Sequence, residues 1–385
     1  MSGVAITGVG QTTYRRRHAE RSSGELMQIA AEAAARDAGL ELREIDAFVL
    51  GVAPDALCGV NCPEKSSFFL PVGRPVMRVN TGGTTGGAAF HLATTMVAAG
   101  EAHHVLAIGL ERMGQAVTSQ AVFNTIFDPI YEKDIALSTL TMAAMRASML
   151  MQRYGYTAEH WATVAARNFR NARANPYAQV RREITVQEVK DSPLLAWPIH
   201  LYEACPMSEG ACAVVVYDRP PEGRTAWVRG IGSYTDTYAM GDRTRRREGS
   251  LVDLLTLQLA ARRAYQEAGL DDPPDRLRVV ELHAPFSSAE AMAYPALGLC
   301  TAAGGPAFAE GTLDPQARVR VNPSGGPQPA NPVSTTALVR IAECANQVRE
   351  RAGKMQVDDA DWAVATCQGG ASQFSMAVVL AAARG

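Results

Sequence analysis

The sequence predicts an α/β protein made of two duplicated β-α-β-type halves, residues 1–225 and 226–385, the first carrying a mostly helical insertion at about 114–206. Three observations carry this expectation. Short strand-type runs ending in glycine alternate with helix patterns. Motifs of the first half return in the same order in the second. Between about Gly114 and Pro206 the alternation stops, in a stretch rich in Met, aromatic residues and X-Pro pairs (Asn175-Pro176, Ser192-Pro193, Trp197-Pro198).

In order along the chain, Val4 to Gly10 reads as a short buried strand ending in glycine. A helix follows from about Ser23 to Ala38, because Leu26, Ile29, Ala30 and Ala33 share one face, and Gly39 closes it. Ile45 to Leu50 is a strand ending at Gly51, and residues 56–76 are loop-like, with Cys58, Cys62, Pro63 and Pro71. Arg78-Val79 ends a strand that runs into the glycine-dense turn Asn80 to Ala89, followed by a small-residue helix from His91 to Ala99 and a strand at Val105 to Ile108. The insertion is helical over Leu137 to Arg153 and Ala158 to Asn171, and Ala211 to Tyr217 returns to the sheet.

The pattern then restarts. Val228 to Gly232 echoes Ile6 to Gly10, and Ala268-Gly269-Leu270 echoes Ala38-Gly39-Leu40. Val279 to Pro285 echoes Phe48 to Pro54, Val321 to Gly326 echoes Val79 to Gly83, and Asp361 to Thr366 echoes Val105 to Ile108. Ordered correspondences of this kind mark an internal duplication. They predict that the two glycine turns face one another across a pseudo-two-fold axis. Glycines at such strand-to-helix turns let backbone approach a ligand and aim N–H groups at it. The plainer reading of the first turn is a tight connection with packing glycines.

Composition sets the outer limits. With 47% hydrophobic residues, 20% charged and a net charge of −2, the chain has the make-up of a globular protein with no basic excess for nucleic acid. Arg15 to Arg17 and Arg243 to Arg247 read as solvated loops, with contact to the phosphates of an acidic ligand as the alternative for the second. No run of about 18 apolar residues predicts a membrane span, and the N-terminus enters a strand pattern with no signal peptide. Seven scattered cysteines fit reduced thiols and a cytoplasmic location. Cys58-x-x-x-Cys62 lacks a second pair at zinc spacing, so no metal site is expected.

Over nearly the whole chain the motifs resemble the thiolase superfamily, nearest to the sterol-carrier-protein-type thiolases. Ser208-Glu209-Gly210-Ala211-Cys212-Ala213 is similar to that family's S-D-G-A-A-A, and Glu281 to Phe286 to its E-V-H-D-C-F. Tyr294 to Cys300 resembles Y-E-A-L-G-L-C, Val321 to Gly326 is V-N-P-S-G-G, and Cys367-Gln368-Gly369-Gly370 looks like C-x-G-G. The resemblance implies a five-layer α-β-α-β-α fold, a coenzyme A thioester as substrate, a homodimer, and a small OB-fold zinc-ribbon subunit as partner.

The departures define the chemistry. The acyl-carrying cysteine of working thiolases falls on Gly83, and Thr84 and Thr85 are poor nucleophiles without a base. Asn331 falls where the second histidine should stand, and Ala284 and Pro285 replace the aspartate and cysteine after His283. Donors for a thioester enolate remain, and an enolate formed without an acyl-enzyme is what retro-aldol cleavage of a β-hydroxyacyl-CoA needs. The thiolase-like aldolases that shorten steroid side chains are similar in having glycine at this position. The leading expectation is therefore a carbon–carbon lyase. The alternatives are an acyltransferase using another nucleophile, such as Cys367, or a non-catalytic acyl-CoA-binding subunit.

Candidate catalytic residues are His283 (base or enolate donor), Asn331, Cys367 and Tyr294; candidate substrate-binding residues are Asn80, Gly82, Gly83, Asn322, Gly325 and Gly326. Each also has a structural reading. His283 could simply hydrogen-bond, Cys367 could be an inert core thiol, Tyr294 could pack in the core, and Asn322 could fix its own turn.

Overall fold

The computed structural model describes residues 3–383 apart from 53–67, 117, 133, 136, 221, 245 and 247–249. Cys58, Cys62 and most of the 56–76 loop expectation lie outside the described residues, as do Arg245 and Arg247.

The strands are β1 (Ala5–Gln11), β2 (Ala47–Val52), β3 (Val76–Val79), β4 (His104–Glu111), the small hairpin β5 (Leu194–Ala196) and β6 (Ile199–His200), β7 (Gly210–Tyr217), β8 (Ala226–Thr235), β9 (Val279–Glu281), β10 (Arg320–Val321), β11 (Trp362–Gly369) and β12 (Phe374–Ala381). All but the hairpin form one ten-stranded sheet in the order β10-β9-β11-β12-β8-β1-β7-β4-β2-β3. That order reads the same from either end once β1 is matched to β8, β2 to β9, β3 to β10, β4 to β11 and β7 to β12. The halves join where β1 pairs antiparallel with β8, Ala5 opposite Trp227 and Ile6 opposite Ala226.

Alternating side chains make five layers. On β2 and β4, Phe48, Leu50, Leu106 and Ile108 face the outer helix α1 (Ser23–Asp37). Their neighbours Ala47, Val49, Val105 and Ala107 face inward, into a core shared with Ala363, Ala365 and Val378 of the second half. Two helices run through that inner core, α2 (Thr85–Ala98) and α3 (Val333–Val348). A fifth layer, α4 (Leu255–Ala268), covers the far face against Val280, Val364 and Val379. The expected five-layer thiolase-type fold is the one observed.

The glycines of β1 and β8 explain how the outer helices sit so close. A Cβ on Gly8 would stand 2.1 Å from the Ala34 carbonyl oxygen, and one on Gly232 would stand 1.9 Å from that of Ala260. The Gly-x-Gly repeat is therefore a helix-seating device at the same place in both halves.

Several boundaries differ from the sequence expectations. Helix α2 starts at Thr85 and not near His91, so Gly86 and Gly87 belong to it. They are tolerated there because a Cβ would lie 2.8 Å from the Cβ of Leu338 and 2.7 Å from the Sγ of Cys367 respectively. Strand β9 stops at Glu281, which leaves His283 on the loop beyond it. Strand β12, unread in the sequence, completes the second half. Within the insertion, α5 (Thr139–Tyr154) and α6 (Ala158–Ala172) fall close to expectation. No helix among the described residues is long and apolar enough to cross a membrane.

Candidate functional site

The loop after β9 is fixed from several sides. Leu282 N donates to Asn322 Oδ1 at 2.8 Å, His283 N to Thr366 Oγ1 at 2.9 Å, and Cys205 N to the Pro285 carbonyl at 2.8 Å. The imidazole of His283 is buried, and its Nδ1 accepts from the backbone N–H of Gln368 at 3.2 Å. Burial, with the positive charge of Arg340 adding to it, pushes its pKa down to about 3. A neutral ring whose Nδ1 is an acceptor carries its proton on Nε2. His283 is thus built to donate a hydrogen bond, and of the two roles expected from the sequence this geometry serves the donor and not the base.

That ring lines a cavity of about 90 Å³. One wall is α5 of the insertion, with Met142, Ala143 and Arg146; another is the helix α7 (Ser287–Ala296), with Ser288 and Met292; Gln368, Gly370 and Ser372 close the end of β11. Arg146 Nε, Ser288 Oγ and Gln368 Nε2 are buried here without a hydrogen-bond partner. Orphaned polar atoms are rare in folded interiors. Grouped around one small void, they mark a place shaped for oxygen atoms.

Gln368 also bounds Gly83, the position where the sequence resemblance puts a thiolase's cysteine. A Cβ on Gly83 would lie 2.5 Å from the Gln368 carbonyl oxygen and 3.0 Å from the Cα of Gly369. Glycine is required there because backbone fills the space a side chain would occupy. Gly82 has φ +62° with open space beside it, and the exposed Asn80 accepts from Gly82 N and Thr85 Oγ1 at 3.1 and 3.2 Å.

The remaining candidates are placed elsewhere. Asn322, at φ +47°, is fully buried: Oδ1 holds Leu282 N and Nδ2 donates to Glu290 Oε2 at 2.8 Å, so it fixes its turn. A Cβ on Gly325 would meet Ala172, Asn168 and Pro329, and one on Gly326 would meet Asn322 itself. The second turn is therefore packed under α6. Tyr294 is fully buried, donates to Glu290 Oε1 at 2.5 Å and receives Arg167 Nη1 at 3.5 Å. With Asn168 and Thr312 it belongs to a buried polar network, away from the cavity lining. Cys367 points into the inner core against Gly87, and burial raises its thiol to about 12, so it offers no thiolate to the His283 cavity. Asn331 spends its amide locally, donating to Cys205 Sγ at 2.9 Å and accepting from Thr336 Oγ1 at 2.6 Å.

Sequence reasoning missed Arg146, Gln368, Ser288 and Ser372. The only signal for Gln368 was its place as the variable residue of Cys367-Gln368-Gly369-Gly370; the others lie on elements whose facing is set by tertiary packing. Arg243, expected in a solvated loop, is buried: its Nη1 donates to the Ala371 carbonyl at 2.7 Å.

Comparison with known proteins shows the family. Residues 4–195 match the thiolase N-terminal domain family and residues 239–382 the thiolase C-terminal domain-like family. The chain belongs to the thiolase superfamily. It is 31% identical over 373 residues to an acetyl-CoA acetyltransferase of Methanothermobacter thermautotrophicus, covering 94% of each chain. It is 28% identical over 380 residues to human sterol carrier protein 2, covering 93% of this chain and 68% of that one. Among solved structures, the Ltp2–ChsH2(DUF35) aldolase superposes with a TM-score of 0.82 at 23% identity, over 99% of this thiolase-superfamily chain and 98% of that one.

Proposed function

We propose that this thiolase-superfamily protein is a carbon–carbon lyase that cleaves a β-hydroxyacyl-CoA by a retro-aldol step without a covalent acyl-enzyme. The observation that carries the reading is the pairing at Gln368: its carbonyl fills the position of a thiolase nucleophile beside Gly83, and its N–H sets His283 as a donor. In the reaction the β-hydroxyl loses its proton, the Cα–Cβ bond breaks, and its electron pair delocalises onto the thioester as an enolate. A ketone or aldehyde leaves, and protonation at Cα gives the shorter acyl-CoA. The Nε2–H of His283, with the amide of Gln368, would stabilise the enolate oxygen, and donors aimed at developing charge are among the strongest levers in catalysis. Among the described residues no carboxylate lines the cavity, and in this reading the hydroxyl proton would pass to water or to a group on a partner chain. A homodimer and a small OB-fold zinc-ribbon subunit belong to this reading; in its support, the structural neighbour is an aldolase named as the pair Ltp2–ChsH2(DUF35).

The test is a product assay. Purified protein, alone and with such a small subunit, should release a carbonyl compound from β-hydroxyacyl-CoA esters, and its absence in both would sink the lyase reading. The name of the archaeal relative favours a second reading, an acetyltransferase. It would need a thiolate, and the half-buried Cys205 beside Asn331 is a thiol pushed up to about 12. An acyl adduct on any cysteine after incubation with acetyl-CoA, seen by mass spectrometry, would favour it.

A further inference from the structure

Arg146 and Arg243 are two buried guanidiniums that meet on one backbone carbonyl. Arg146 Nη2 and Arg243 Nη1 each donate to the Ala371 oxygen at 2.7 Å, and Arg146 Nη1 donates to Ser372 Oγ at 3.1 Å. The residues are 5% and 3% exposed, and Arg146 Nε, Arg243 Nε and Arg243 Nη2 have no partner. Among the described residues neither guanidinium has a carboxylate within ion-pairing distance. Of the carboxylates that act on Arg243, Glu132 accepts from Met240 N and Asp128 N at 3.0 Å each, Asp236 pairs with Arg246 at 2.8 Å, and Asp242, on the same short helical turn as Arg243, is exposed to solvent. Two like charges held together out of water are costly unless an anion joins them. Burial and the neighbouring Arg243 already push Arg146 down to about 9.

Resting on the lyase reading, we propose that Arg146, supported by Arg243, binds a carboxylate carried by the acyl part of the substrate, a β-hydroxyacyl-CoA whose β-substituent is acidic and leaves as an oxo acid. Location decides between this anion and the phosphates of CoA. Arg146 and His283 line the same 90 Å³ cavity. An oxygen held by His283 is the thioester's, and the whole pantetheine arm separates a thioester from the CoA phosphates. The anion beside Arg146 therefore belongs to the acyl end. A cavity of that size also suits a short polar chain better than the bulky apolar group expected from the steroid-type aldolases.

Binding of two esters without a β-hydroxyl isolates this proposal from catalysis. In calorimetric titrations of the full chain, glutaryl-CoA should bind about tenfold more tightly than butyryl-CoA, the scale of a charge-assisted hydrogen bond. Arg146→Gln keeps hydrogen-bonding capacity and removes the charge, and should shrink the preference to about twofold or less; Arg243→Gln, as a second variant, should shrink it partially. Equal affinities in the wild type would overturn the proposal, as would a preference that survives Arg146→Gln. Equal weakening of both esters in the variant would place the guanidinium at the CoA phosphates and overturn it too. A glutaryl preference without oxo-acid release from 3-hydroxyglutaryl-CoA would leave the anion site standing and the lyase reading fallen. Carbonyl release from 3-hydroxybutyryl-CoA with no glutaryl preference would do the reverse.

Discussion

The turns at Asn80–Gly83 and Asn322–Gly326 occupy equivalent places in the two halves, and each begins on the Asn of a Val-Asn pair. Asn322 is sealed in the interior, with its amide split between Leu282 and Glu290, while Ser324 and Arg340 share the carboxylate of Glu281. Asn80 is exposed, and among the described residues it bonds within its own turn. The second turn is thus anchored by buried charge, whereas the first is held by close backbone contact with Gln368 and Gly369. Duplication has kept the trace of the chain and divided the work. One turn secures the loop that bears His283, and the other sets how near a ligand or a nucleophile could come.

The largest expected effect is on the anchored side. Glu290→Ala would strand Arg167, Asn168, Asn322 and Tyr294 together, a loss of about 3–5 kcal/mol for a broken buried pair. Denaturant melts should show it, and a change under about 1 kcal/mol would mean that the turn does not depend on this network. Next comes His283→Ala, expected to lower kcat about 10²–10³-fold if His283 is an enolate donor, with the fold retained by circular dichroism.

The same ring makes a pH prediction. Because the folded pKa lies near 3, below the ordinary value, His283 stays neutral through pH 5–8 and should place no inflection near 6.5 on the rate profile. Its linkage to stability has the matching sign. The unfolded state takes up the proton first, so stability from this group is present above about pH 6.5 and is lost as pH falls toward 3.

On the open side the effects shrink. Gly83→Cys should destabilise by about 1–3 kcal/mol through overpacking against the Gln368 carbonyl, and should form no acyl adduct in mass spectra after incubation with acetyl-CoA. An adduct at full stability would show that the backbone yields and that the pocket is a thiolase pocket. Asn80→Ala should cost the least, about 0.5–1 kcal/mol for local hydrogen bonds exchanged with water.

The ordered repeats Ile6–Gly10 with Val228–Gly232 and Asn80 with Asn322 made the duplication legible, because each marks a backbone requirement that recurs. Strand β12 went unread although Ala377 to Leu380 is as apolar as Ala213 to Val216; no motif announces it. His283 and Gly83 stood out by family pattern. Their working relation did not, because it runs through the backbone of Gln368, and a main-chain N–H and C=O leave no mark in a sequence. Arg146 was hidden for another reason. On a helix rich in Met and Ala, its facing is decided by what packs above it.

The carbonyl of Gln368 also bears on the history open to this chain. A lost catalytic side chain is commonly pictured as a deletion that one reverse substitution repairs. Here the volume a side chain at residue 83 would need is filled by a strand end that also orients His283, so a cysteine placed there meets main chain before it meets substrate. Any lineage returning to acyl-enzyme chemistry must first move the β11 terminus, and in doing so disturb the donor on which the present chemistry would depend. The way back leads through an intermediate that is poorer at both reactions.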